Sequence, residues 1–125
     1  MKLPRKFDLI CYNFDSINHL PNIKSLCSCF KAIRKHLSNN GYFLFDLSTL
    51  VALQTNWDRG LWIQDTDELY KIQSGIYLPA EKEVIAQLRK AGFKSIEYYS
   101  DMKFKNKLLV ENIENHKRVF FIVKK

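Results

Sequence analysis

The stretch Phe7–Phe14, FDLICYNF, running into the polar residues Asp15, Ser16 and Asn18, decides how the rest of the chain is read. A short, apolar and aromatic run that closes on turn-forming residues reads as a strand buried on both faces, the kind found in parallel sheets. From Ile23 the apolar positions Ile23, Leu26, Cys27, Phe30, Ile33 and Leu37 recur at helical spacing, with Lys24, Lys31, Arg34 and Lys35 between them. One helix face therefore belongs to the core and the other to solvent. Asn22 stands where a cap is needed, and Asn39-Asn40-Gly41 is expected to stop the helix in a left-handed turn. Tyr42–Leu47, YFLFDL, reads as a second buried strand. Strand, helix and strand form a βαβ unit, which makes the two strands parallel and the crossover right-handed. The fold class that follows is α/β.

Downstream the pattern loosens. Between Ser48 and Tyr77 the large side chains Trp57, Trp62, Tyr70 and Tyr77 are spread among Asn, Asp, Gly and Gln, so residues 49–77 read as an irregular insertion with a short hairpin. A helix is expected after Pro79, with Glu81 and Glu83 at its positive end and Arg89 and Lys90 at its negative end. Val84, Ile85, Leu88 and Ala91 make its buried stripe, and Gly92 is placed to end it. Phe93–Ser100 and Lys117–Val123 read as strands. No second strong helical stripe links them, so they are expected to pair antiparallel.

Length and composition fit one domain over residues 1–125: 46% hydrophobic with 26% charged is ordinary for a globular chain. No apolar run approaches the roughly 20 residues of a spanning helix, and no signal-type core follows Met1–Lys6, so a cytoplasmic protein without a membrane partner is expected. Cys11, Cys27 and Cys29 are too few and too odd in number for a disulfide framework and read as reduced thiols. Cys27 and Cys29, two apart on a helix, point to different sides, so no metal site is expected. The net charge of +7 favours anionic partners. A solvated basic surface is nevertheless the better reading, and a nucleic-acid partner is not expected.

The order strand, helix, strand, insertion, helix, antiparallel pair resembles the second half of a class I S-adenosylmethionine-dependent methyltransferase, a partial doubly wound, Rossmann-like sheet with a reversed final strand. The resembling words are FDLICYNFDSINHL, HLSNNGYFLFDLST, AEKEVIAQLRKAGFKSIEYYSD and KRVFFIVKK. The resemblance implies methyl transfer from S-adenosylmethionine to an acceptor that the sequence does not identify. It also implies a glycine-rich turn and a ribose-holding carboxylate on earlier strands. Neither has a counterpart here, because Gly41, Gly60, Gly75 and Gly92 are too far apart to build such a turn. The chain thus reads as beginning inside the domain, with Met1 either an internal methionine or the start of a reduced gene, and as inactive by itself.

In open α/β sheets ligands bind beyond the carboxyl ends of the strands. Asn13, Phe14, Asp15 and Ser16 lie there, and the resemblance assigns them to the cofactor; Asp15, Ser16 and Asn18 are equally explained as turn and cap residues. Asp46, near the end of the second strand, either faces the same crevice or serves nearby backbone. His19 reads as surface or loop packing, His36 as exposed on its helix and His116 as a loop residue, and no catalytic residue is assigned. The four large aromatics of the insertion read as hydrophobic cover more than as a substrate wall. A strand whose neighbour is missing leaves an exposed edge at Phe7–Phe14, so a homodimer, or a partner supplying strands, is expected. Two other readings stand beside methyl transfer: a non-catalytic interaction module, and a basic nucleic-acid binder using Lys103, Lys105, Lys107, Lys117 and Arg118.

Overall fold

The computed structural model describes residues 3–14, 16–49, 52, 81–109 and 116–125. Strand β1 (Phe7–Tyr12) leads through a 3-10 turn (Ser16–His19) into α1 (Ile23–His36) and β2 (Leu37–Ser48). Helix α2 (Glu81–Lys90), β3 (Ser95–Tyr99) and β4 (Arg118–Lys124) follow. The strands form one sheet in the order β1-β2-β4-β3, with β1 parallel to β2 and β4 antiparallel to both of its neighbours. Three strands therefore point one way and the last is reversed, as the sequence predicts. The insertion expected at 49–77, with Trp57, Trp62, Tyr70 and Tyr77, falls outside the described residues apart from Thr49 and Ala52.

Alternation along the strands seals one face of the sheet. Phe43, Phe45 and Leu47 of β2 and Val119, Phe121 and Val123 of β4 are buried together with Leu26, Phe30 and Ile33 of α1 and Val84 and Leu88 of α2. The rings of Phe45 and Phe121 stack at 4.5 Å, and those of Phe43 and Phe45 at 4.7 Å. Such pairs add to the burial of aromatic area itself. Asn22 caps α1, its Oδ1 accepting the Ser25 N–H at 2.9 Å. Gly92 closes α2 at φ 102°, while the Phe93 N–H donates to the Leu88 carbonyl at 3.1 Å, as a left-handed cap requires.

Three expectations need correction. Helix α1 does not run to Asn39-Asn40-Gly41. It ends at His36, where Leu37 is already extended (φ −77°, ψ 141°) and donates its N–H to the Ile33 carbonyl. The Asn-Asn-Gly run lies inside β2, where the register slips: Phe7 faces Leu37 but Leu9 faces Tyr42, so two steps along β1 match five along β2. The same turn-forming residues that stop helices also build bulges. A Cβ on Gly41 would lie 3.0 Å from the Phe7 carbonyl oxygen, so this close approach needs glycine. Second, His36 is buried, not exposed. Its Nε2 accepts the Leu3 N–H at 3.1 Å and its Nδ1 donates to the Ala32 carbonyl at 2.7 Å, which ties the segment before β1 to the helix end. Third, β1 is not buried on both faces: Ile10 and Tyr12 pack on the core, but Cys11 is exposed and Leu9 is 53% exposed. An apolar sequence here meets cover on one face only.

Candidate functional site

The site begins with the way β1 ends. Phe14 adopts φ 56°, a left-handed conformation that a bulky residue rarely takes, and its ring stands 81% exposed. Strain of this kind persists only where neighbours fix it. The Ser16 hydroxyl donates to the Asn13 carbonyl at 2.5 Å, tightening the turn around it. Asn18, fully buried, then pins the turn to β2: its Nδ2 donates to the Ser48 carbonyl and its Oδ1 accepts the Ser48 N–H, both at 3.0 Å. The side-chain amide thus takes the place of a strand neighbour at the end of β2. One residue on, Thr49 donates its hydroxyl to the His116 carbonyl at 2.6 Å and its N–H to the Lys117 carbonyl at 3.0 Å. The carboxyl ends of β1 and β2 and the start of β4 are thereby locked into one rim.

Below that rim, on the sheet face away from α1, lies a cavity of about 300 Å³. Its floor is apolar, made by Cys11, Leu44 and Phe120. Asn13, Phe14, Asp46 and Arg118 stand at its strand-end side, and Met102 and Phe104 form the opposite wall. The Asp46 side chain is nearly enclosed, and its Oδ2 lies 3.4 Å from a guanidinium nitrogen of Arg118, whose side chain remains 40% exposed. A low-dielectric floor strengthens such a pair and any further polar contact made beside it. The shape suits a small, largely apolar ligand oriented by one ion pair.

The wall is held by a second carboxylate. Asp101 accepts the N–H groups of Lys103 and Asn106 at 2.9 Å and of Lys105 at 3.4 Å, which fixes the Lys103–Lys107 loop. These bonds, that of Asn106 foremost, hold the Asp101 carboxyl below the usual carboxylate range. Glu97 is likewise lowered, first by the Tyr99 hydroxyl, which donates to it at 2.8 Å, and then by Lys107 at 3.2 Å. The basic loop is thus an ordered wall whose Lys107 is paired.

Of the residues expected to meet a cofactor, Asn13 and Phe14 line the cavity, Ser16 braces the turn, and Asp15 lies outside the described residues. Asp46 faces the crevice through a side-chain partner. Arg118 belongs to this cleft, not to a separate basic face with Lys103 and Lys105. Met102, Phe104 and Arg118 carried no sequence signal for the site, since only the antiparallel return of β4 brings them to the ends of β1 and β2. His19 is exposed and lines no part of the cavity. Among the described residues, no three metal-ligating side chains come together, and no helix is long and apolar enough to cross a membrane.

Neither a family model nor a curated relative matches the sequence. Solved structures do match the fold. An S-adenosylmethionine-dependent methyltransferase from Clostridium acetobutylicum aligns over 99% of this chain at TM-score 0.71 and 19% identity. The CcbJ methyltransferase from Streptomyces caelestis aligns over 98% at TM-score 0.73 and 12% identity. The glycopeptide N-methyltransferase MtfA, complexed with S-adenosylmethionine, aligns over 100% at TM-score 0.57 and 17% identity. The alignments cover 60%, 59% and 56% of those chains, so this chain spans well under two thirds of the structures it matches. Its four strands and their helices thus have the fold of part of an S-adenosylmethionine-dependent methyltransferase domain.

Proposed function

We propose that this chain is the carboxyl-terminal part of a methyltransferase, contributing one flank of the cofactor cleft and the acceptor pocket beside it. The observation that carries the reading is the exposed, left-handed Phe14 at the mouth of an apolar cavity, on the strand-end side where such sheets bind ligands. Bound S-adenosylmethionine supplies an electrophilic methyl on a sulfonium. Phe14 would give it an apolar contact and Asn13, just beyond β1, a polar one. Asp46 and Arg118 orient the acceptor, a small molecule whose identity is open, and Met102 and Phe104 exclude water from it. Methyl transfer needs mainly alignment, which the Asn18 clamp provides by holding the Phe14 turn against β2. On this reading the described residues offer one flank of a cofactor site, and methyl transfer by this chain alone is not expected.

The remaining flank is to come from strands added at β1. Among the described residues the outer edge of β1 has no ladder partner. Beside it a groove of about 510 Å³ runs between β1 and α1, lined by Tyr12, Leu20, Ser25, Ser28 and Cys29, where another element fits. Burial pushes the Cys29 thiol up, so it is a packing group there and not a nucleophile. The test is binding of S-adenosylhomocysteine to a polypeptide in which further strands precede Phe7. Binding is expected, weakened about tenfold by Phe14→Ala, as loss of an aromatic stacking contact costs. Binding unaffected by Phe14→Ala would remove Phe14 from the site.

A further inference from the structure

The end of the sheet opposite the cleft gathers cations from five separate parts of the chain. Arg5 and Lys6 precede β1, Arg34 and Lys35 end α1, and Arg89 and Lys90 end α2; Lys94 precedes β3, while Lys124 and Lys125 end β4. Every one lies at this pole because β1, β2 and β3 start here while both helices and β4 finish here. Helix dipoles account for the four cations in the last turns of α1 and α2. They do not account for the five at strand ends. Asp8 is the one carboxylate described at this pole, and it accepts the Ser38 hydroxyl at 2.6 Å. Among the described residues none of the nine cations forms an ion pair. The Lys125 ammonium donates to the Leu37 carbonyl at 2.7 Å and is lowered first by slight burial and then by the charges of Lys6 and Arg34 beside it.

We propose that this pole binds the phosphate backbone of a single-stranded nucleic acid. Three gaps of about 4.8 Å separate the four strands, giving a row about 14 Å long. Successive phosphates of an extended single strand lie farther apart than the about 3.4 Å axial rise of a duplex strand, so about three of them fall over that length. Like charges held together in excess over carboxylates destabilise the free protein and are relieved by a polyanion. Tyr42 lies among them, 43% exposed, with the Lys124 ammonium 5.6 Å from its ring centre. A ring flanked by a cation is the arrangement on which bases stack without sequence preference. The surface is remote from the cleft and independent of the methyl-transfer reading.

The test is fluorescence anisotropy of the chain with a labelled single-stranded RNA of about 20 nucleotides, titrated across salt concentrations. With about three phosphates engaged, raising salt about fourfold should weaken binding about 20-fold. Lys6→Gln with Lys94→Gln, both exposed, should reduce the salt slope by about one to two and affinity by about tenfold. The control pair Lys103→Gln with Lys105→Gln, at the cleft wall, should leave both unchanged. No salt-dependent binding, an equal loss in the control pair, or binding to phosphatidylserine vesicles without binding to RNA would each overturn the proposal.

Discussion

The two faces of the sheet are built from adjacent residues of the same strands and do opposite things. Phe45 points into a dry stack of rings under α1; Asp46, its neighbour, points the other way and meets Arg118 at a cavity. On β4 the same split divides Phe121 from Phe120. The period of two along a strand lets stability and recognition be assigned to alternate residues, so each can change with little effect on the other. One face holds the fold, and the other keeps polar groups where a ligand reaches them.

That division can be broken by substitution. Phe45→Ala, on the sealed face, should cost about 3–5 kcal/mol in chemical denaturation; a loss under about 1 kcal/mol would mean that the ring stack is not the core. Asn18→Ala leaves the buried Ser48 N–H and carbonyl without partners and should cost about 1–3 kcal/mol. It should also loosen the Phe14 turn, seen as faster amide exchange at residues 16–19. Arg118→Met, on the open face, should cost about 1–2 kcal/mol, because the Arg118 side chain is partly exposed while the Asp46 carboxylate that loses this partner is not. A large loss there would put the Asp46 pair in the structural set.

The smallest effect concerns pH. Asp101 has a folded value below its ordinary one, so its stabilisation of the cleft wall is present above the ordinary carboxylate range and lost as pH falls through the folded value. Amide protection at Lys103 and Asn106 should drop on acidification while the core strands stay protected. Asp101→Asn should abolish that pH dependence; an unchanged profile would show that another group controls the loop.

How much of this was legible beforehand depended on whether the signal was local. The βαβ unit, the Asn22 cap, the Gly92 stop and the antiparallel pairing of the last strands could be read from spacing and from turn residues. Asn39-Asn40-Gly41 misled, because a bulge and a helix stop recruit the same residue types. His36 misled because its burial depends on the segment before β1 folding back onto the helix end. At the site, Asn13 and Phe14 were visible as strand-end residues, whereas Met102, Phe104 and Arg118 are far away in sequence and meet them only through the sheet order. The cationic pole was hidden for the same reason, since its nine residues come from five segments and form no run.

On the proposed reading the cleft is half of a cofactor site, completed only when strands are added at the outer edge of β1. A calorimetric titration of this 125-residue chain with S-adenosylhomocysteine tests it most directly. The expected result is no measurable binding by the chain alone, and binding once further strands are joined ahead of Phe7. Tight binding by the chain alone would overturn the proposal.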